Sequence, residues 1–204
     1  RISCIVKQGY GLTETSPVTH SSPTDPARIR LGSSGQCIPN TESKIVDTAT
    51  GEELGPNERG ELWIRGPQVM KGYLNNPEAT AITVDADGWL HTGDIAFADE
   101  EGYFSIVDRV KELIKYKGMQ VAPAELEAVL LTNPKIADAA VIPSPDDEAG
   151  EIPKAFVVLK GEITADEIMA FVAEHVAPHK KIRLVEIVEQ IPKTASGKIL
   201  RRVL

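Results

Sequence analysis

The chain of 204 residues is short of cysteine, of positive charge and of long apolar runs, and each shortage removes a class of function. Cys4 and Cys37 are its two cysteines and form no Cys-x-x-Cys pair, so no disulfide framework is expected. A reducing, cytoplasmic setting is expected instead, with both thiols buried. Lys and Arg number 22 against 30 Asp and Glu, a net charge of -8 that argues against a nucleic-acid or anionic-membrane surface. A phosphate site must then be a local cluster of cations and backbone N–H groups. No apolar stretch approaches the length that crosses a bilayer, so no transmembrane segment is expected, and no signal peptide is visible. His175 and His179 have the i, i+4 spacing of a helical metal pair, but Pro178 lies between them and no third ligand is evident, so both read as solvated. Residue 1 is Arg rather than Met and leads directly into strand-like residues 2–6. That is how the back portion of a longer protein would look.

What is present is ordinary globular composition, 42% hydrophobic and 25% charged, enough for one to one and a half domains. Gln8-Gly9-Tyr10-Gly11-Leu12-Thr13-Glu14-Thr15 reads as a loop in which backbone can approach a ligand and Tyr10 offers a flat face. Thr13 and Glu14 supply a hydroxyl and a carboxylate. The two glycines alone fit a plain strand-to-helix turn as well. Residues 21–60 are rich in Ser, Pro, Thr, Gly and Asn around a strand at Glu42–Val46, a β-rich pattern. Gly60–Arg65 alternates as a strand stopped by Gly66-Pro67, and Asn76-Pro77 opens a short helix. Gly72 and Tyr73 read as structural. In Trp89-Leu90-His91-Thr92-Gly93-Asp94 the aspartate is presented where a carboxylate can accept two hydrogen bonds from a vicinal diol, although Thr-Gly-Asp is also common turn chemistry. Residues 102–107 read as a strand.

Residues 107–127 change character several times. Asp108-Arg109-Val110-Lys111 reads as a strand end and connector, Gly118 as a hairpin turn, and Pro123 as the first turn of a helix. Taken alone, the cations Arg109, Lys111, Lys115 and Lys117 fit a solvated strand edge. A helix is expected over 122–132, strands over 137–142 and 154–160, and a solvated acidic turn over 146–151. Thr164 with Glu167 forms a capping box for a helix over 164–177, whose apolar side is Ile168, Phe171, Val172 and Val176. A strand over 183–191 precedes the tail Pro192-Lys193-Thr194-Ala195-Ser196-Gly197-Lys198-Ile199-Leu200-Arg201-Arg202, which places Lys198 after a flexible turn.

These blocks, in this order, resemble the adenylate-forming acyl-CoA synthetases, especially 4-coumarate CoA ligase and its fatty-acid-activating relatives, a group that includes firefly luciferase. The resemblance implies an α+β architecture. Residues 1–107 would be the β-rich end of a large domain, 108–111 a hinge, and 112–204 a small mobile C-terminal domain. It also implies ATP or AMP, Mg2+ and coenzyme A as ligands, with a small carboxylic acid and the upstream part of the same protein as partners. Gln8, Gly9, Tyr10, Gly11 and Thr13 would form the adenylate loop, with Tyr10 on adenine and Thr13 on the α-phosphate, while Glu14 would hold Mg2+. Asp94 would bind the ribose hydroxyls, Ile106 the adenine and Arg109 the ribose. Lys111 would belong to the hinge and ligand-binding segment, Lys117 and Gly118 would line the pantetheine tunnel, and Lys115 and Gln120 would serve thioester formation. Lys198 would serve adenylation.

The chemistry explains why the residues fall in two groups. A carboxylate is a poor electrophile until it becomes an acyl adenylate, and forming one brings two anions together. A mobile ammonium on a long stem suits that task. The thiol of coenzyme A then attacks along a path that the Lys198 loop would obstruct, so a second set of residues is needed. Leu12-Thr13-Glu14-Thr15-Ser16-Pro17 departs from the wording usual in plant 4-coumarate ligases, which leaves fatty and aryl acids both open. A non-catalytic fragment and a luciferase-like adenylating oxygenase are the alternatives.

Overall fold

Alternation of apolar and polar residues has its expected consequence in the computed structural model, which describes residues 4–195 and 197–204. Ser196 of the tail motif and the first residues of the strand expected over 2–6 lie outside the described residues. The chain divides into two compact units, the first ending at Val110 and the second beginning at Lys111.

In the first unit, strands β1 (Gly9–Gly11), β2 (Val18–Ser21) and β3 (Gln36–Cys37) form one antiparallel sheet. Strands β4 (Glu42–Val46), β5 (Gly60–Arg65), β6 (Leu90–Ala98) and β7 (Phe104–Arg109) form a second, each hydrogen-bonded to the next, with the short helix α1 (Pro77–Thr83) between β5 and β6. Asn76 caps α1 by accepting from the Ala79 N–H, with Pro77 in its first turn. Along β5 the period is two: Leu62 and Ile64 are fully buried while Trp63 and Arg65 face outward. The inward residues join Ile45, Ala96 and Phe104 in a core against which Tyr10, Leu12, Cys37 and Ile106 pack. On the outer face Trp63 stacks on His91 at 3.8 Å, and Lys44 lies over both Trp63 and Trp89.

The sequence reading placed the first strand over 2–6 and a loop over 8–15. Instead, residues 4–8 have no regular structure and the strand is Gly9–Gly11. The glycines suppress β propensity, but the pairing partner β2 lies only a few residues on. The expected burial of both thiols is also corrected: Cys4 is exposed and Cys37 half-buried, and both are free. Strand β7 runs two residues beyond the expected end, because Asp108 and Arg109 pair with Ile95 and Asp94.

In the second unit, β8 (Ile114–Tyr116) and β9 (Met119–Val121) form a hairpin, followed by α2 (Pro123–Thr132), β10 (Ile136–Asp146), β11 (Gly150–Leu159), α3 (Ala165–His175) and β12 (Leu184–Ile187). The sheet order is β10-β11-β8-β9, with β12 parallel to β11. Both faces of β10 and β11 are covered, which is why their sequences read as continuous apolar runs. Ala139, Val141, Ala155 and Val157 meet Leu126 and Leu130 of α2 and Ile168 and Val172 of α3. Ala140 and Phe156, one residue out of phase, meet Ile191, Ile199 and Leu204 of the C-terminal tail. The capping box of Thr164 and Glu167 is present at the start of α3. Strands β10 and β11 outrun their expected ends because Pro143, Pro145 and Pro153 do not stop the hairpin. β10 is an edge strand, where a missing N–H is tolerated. β12 is shorter than the strand expected over 183–191.

His20 is the one fully exposure-free histidine among the described residues, and its ring is wired from both sides. The Thr19 hydroxyl donates to the Tyr10 carbonyl at 3.3 Å and so accepts from His20 Nδ1 at 2.9 Å. His20 Nε2 is then an acceptor facing Ser43 Oγ at 3.2 Å and Cys37 Sγ at 3.4 Å. Burial lowers its pKa to about 4. The unfolded chain therefore takes up a proton near the ordinary value of 6.5 that the folded chain refuses until about pH 4. This contribution to stability is full above 6.5, declines as pH falls through that window, and is worth about 3 kcal/mol in all. Denaturant unfolding of His20→Asn between pH 7 and 4 should show a shallower loss of stability than the parent; equal slopes would reject a neutral buried His20.

Candidate functional site

Strand β1 pairs Gly9 with Ser21, Tyr10 with His20 and Gly11 with Val18, with an irregularity after Tyr10. Gly11 is required there: a Cβ would lie 1.8 Å from the Pro17 carbonyl oxygen, and backbone cannot yield as a flexible side chain would. The chain then turns through a single 3-10 turn, Thr13–Thr15. Thr15 is fully buried; its hydroxyl accepts the Leu12 N–H at 3.0 Å and lies 2.8 Å from the Pro17 carbonyl. Thr13 is left exposed and Glu14 half-buried. Gln8 is used structurally: its side chain accepts the Gly32 N–H at 2.8 Å and its carbonyl accepts the Ser22 N–H at 2.8 Å.

Asp94 is 7% exposed, and its two oxygens have different partners. Tyr10 donates its hydroxyl to Oδ2 at 2.5 Å and Arg109 donates Nε to Oδ1 at 3.1 Å. The Asp94 N–H rests on Thr92 Oγ1 at 3.1 Å, and Gly93 makes the bend at φ +69°. Burial, followed by the neighbouring Asp94 carboxylate, pushes the Tyr10 phenol well above its ordinary range, so it stays a donor. A carboxylate has about four acceptor sites, so each oxygen of Asp94 retains capacity for another donor such as a diol hydroxyl. Ile106 packs in the same core as Tyr10. The structure thus brings Tyr10, Asp94, Arg109 and Ile106 together, from β1, β6 and β7.

Tyr73, read from sequence as structural, donates its hydroxyl to Glu14 Oε1 at 2.8 Å. Its ring is placed by α1: the Tyr73 N–H donates to Thr80 Oγ1 at 2.9 Å, and Gly72, at φ +148°, leaves room for the Thr80 side chain. The signal in sequence was slight, a Gly-Tyr pair just ahead of a capped helix. Among the described residues no three His, Cys, Asp or Glu side chains cluster as a metal cage. A cage of that kind is not what Mg2+ requires, since this ion keeps several waters and takes one or two carboxylates plus phosphate oxygens. Glu14 accepts the Tyr73 hydroxyl on Oε1, which leaves its carboxylate further acceptor sites.

In the second unit Lys115 and Gln120 are directly paired across the β8–β9 hairpin, on the face opposite the buried Ile114 and Val121. Lys117 at φ +48° and Gly118 at φ +80° make the turn. The acidic loop expected to be a solvated turn engages this hairpin: Glu148 pairs with Lys117 Nζ at 2.8 Å, and Glu151 accepts the Lys115 N–H at 2.7 Å. The Glu148 hydrogen bond raises the Lys117 pKa. Lys111 is exposed in the turn Val110–Glu112. Lys198 is exposed in a loop closed by the Thr194 N–H on the Lys198 carbonyl at 2.8 Å and by the Lys198 N–H on Thr194 Oγ1 at 3.1 Å.

Comparison with known proteins places these features in context. The family model described as AMP-binding enzyme matches residues 1–74, and that described as AMP-binding enzyme C-terminal domain matches 125–198. A 4-coumarate--CoA ligase-like 6 from Oryza sativa subsp. japonica is 58% identical over 203 residues, covering 98% of this chain and 34% of the relative. Peroxisomal OPC-8:0-CoA ligase 1 from Arabidopsis thaliana is 54% identical, covering 98% and 37%. The chain thus spans about a third of the length of these curated relatives. Among solved structures, ATP-bound MatB from Rhodopseudomonas palustris matches with TM-score 0.90 at 32% identity, covering 97% of this chain and 39% of that one. O-succinylbenzoate coenzyme A synthetase from Bacillus subtilis in complex with AMP matches at 0.85 and 35%, covering 98% and 40%.

Two glycines at this site make separable demands. Gly93→Ala adds a Cβ with nothing within 4 Å but in a left-handed conformation, at an expected cost of about 1–2 kcal/mol. Gly11→Ala meets backbone and should cost about 3 kcal/mol or more. Equal losses in denaturant unfolding would contradict the close approach of β1 to Pro17.

Proposed function

We propose that the chain, whose residues 1–74 and 125–198 match the models of AMP-binding enzyme and its C-terminal domain, is the C-terminal part of an ATP-dependent carboxylic acid–CoA ligase. The reaction is acid plus ATP to acyl-AMP plus pyrophosphate, then acyl-AMP plus coenzyme A to acyl-CoA plus AMP. The observation that carries this reading is the buried Asp94 carboxylate held by Tyr10 and Arg109, an acceptor pair suited to a ribose diol beside an aromatic platform. The names of the similar plant proteins, all CoA ligases, support it.

In this reading Tyr10 and Ile106 sandwich the adenine and Thr13 donates to the α-phosphate. Glu14 would hold Mg2+, which would supply positive charge against the polyphosphate. Lys198 brings its ammonium between the substrate carboxylate and the α-phosphate, where losing such a charge donor costs roughly 10²–10³ in rate. Lys115 and Gln120 act in thioester formation, and Lys117 exchanges Glu148 for the anionic groups of coenzyme A near Gly118. The two sets are used in turn, with 108–111 as the hinge. The region that the longer relatives carry in addition supplies the rest of the acyl pocket, and the protein works in the cytoplasm.

The test is ATP- and CoA-dependent pyrophosphate release by the protein with its upstream region, over aryl and fatty acids. Release with none of them would leave the non-catalytic alternative. Lys198→Ala should abolish adenylate formation yet spare thioester formation from supplied acyl adenylate, and Lys115→Ala should show the opposite bias. Equal loss of both half-reactions in both variants would sink the division of labour. Tyr73→Phe should raise the KM for Mg2+-ATP about 10-fold at nearly unchanged stability, as expected for a residue orienting a metal-binding carboxylate.

A further inference from the structure

We infer that Arg201 is a positioning residue for Lys198, fastening the loop that carries the lysine to the first turn of the second unit and to α2. The role assigned to Lys198 rests on the ligase reading above; the fastening itself rests on geometry alone.

Three residues beyond Lys198, the Arg201 guanidinium spends its N–H groups on three elements distant in sequence. Nη2 donates to both oxygens of Glu127 in α2, at 2.8 and 2.9 Å. Nη1 donates to Glu112 in the turn Val110–Glu112, and Nε to the Val141 carbonyl in β10 at 3.3 Å. The pair is largely withdrawn from water, with side-chain exposures of 20% for Arg201 and 11% for Glu127. Glu127 is itself held, because it accepts the Val141 N–H at 2.8 Å. A planar fork with donors in three directions makes this junction, and the single charge of a lysine does not.

The loop is otherwise attached by its own hydrogen bonds to Thr194 and by the packing of Ile199 and Leu204. Its first stem is held by Lys193 on Asp138 and its second by the bridge of Lys193 to Ile199 and the Leu200 N–H on the Pro192 carbonyl. Between them Lys198 is exposed on a turn with Gly197 at φ +86°. Placement of the ammonium is therefore set by its stems. A displacement of about 1 Å in a reacting group costs on the order of 10²-fold in rate.

The experiment uses Arg201→Ala, Arg201→Lys and Arg202→Ala in the protein with its upstream region. Arg202 is exposed and serves as the charge control. Amide hydrogen exchange at Gly197 and Lys198 should accelerate about 10-fold or more in Arg201→Ala and stay near the parent in Arg202→Ala. Pyrophosphate release should fall about 10²-fold, while thioester formation from supplied acyl adenylate stays within about 3-fold, with Arg201→Lys between parent and Ala. Removing Arg201 alone strands a buried carboxylate, so the combination Arg201→Met with Glu127→Gln provides a variant without that charge that keeps the Val141 contact. It should show the same split between half-reactions. Exchange and kinetics in both Arg201 variants matching Arg202→Ala would overturn the inference. So would an equal fall of both half-reactions in the charge-matched combination. A parent protein that releases no pyrophosphate would defeat the ligase reading while the exchange measurement still decided the fastening.

Discussion

A carboxylate removed from water must be given donors, and the first unit is organised around meeting that demand at Asp94. Its donors come from β1 and β7, on either side in sequence and 84 and 15 residues away. Supplying them requires the tight pairing of β1 with β2, which only Gly11 permits, and the extension of β7 through Arg109. Behind Tyr10 the neutral imidazole of His20 is satisfied by hydroxyl and thiol partners, so the aromatic platform is backed by a packed polar cluster rather than a void. An unpaired polar group in that position would cost a few kcal/mol, which is why the cluster is wired on both ring nitrogens.

The second unit solves a different problem. Its central hairpin is buried on both faces, by helices on one and by the tail on the other. The tail is thus structural cover, and it also presents the exposed Lys198 to solvent. Ile199 and Leu204 are half-buried and pack against the core, while Lys198, adjacent to Ile199, is exposed. An exposed lysine next to residues packed on the core has its backbone held at that point, and Arg201 attaches the same segment to α2. The β8–β9 hairpin is built on a similar economy: Ile114 and Val121 are fully buried, Tyr116 packs against the same core, and Lys115, Lys117 and Gln120 are exposed.

Much of the fold was legible. Residues 60–65 alternate between buried and outward positions, the Thr164–Glu167 box marks a helix start, and Gly118 marks a hairpin, because each is a local rule read over a few residues. Where the reading failed, a non-local pairing overrode the local rule. Gly9-Tyr10-Gly11 is a strand because Val18–Ser21 pairs with it, and Pro143, Pro145 and Pro153 sit within strands because the hairpin continues past them. The candidate residues around Asp94 were legible through motif wording. Tyr73 and Arg201 were not, since nothing near either residue in sequence announces its partner.

By itself, the sequence determined most of the order and kind of the elements and the chemical groups available, since propensity, periodicity and motif spacing act over short stretches of chain. Only the tertiary structure decided which of those groups meet. Tyr73 and Glu14 are 59 residues apart and Arg201 and Glu112 are 89 apart. A hydrogen bond tolerates only a few tenths of an ångström, so such contacts are set by how the sheets, helices and tail pack, and that information is spread over the whole chain.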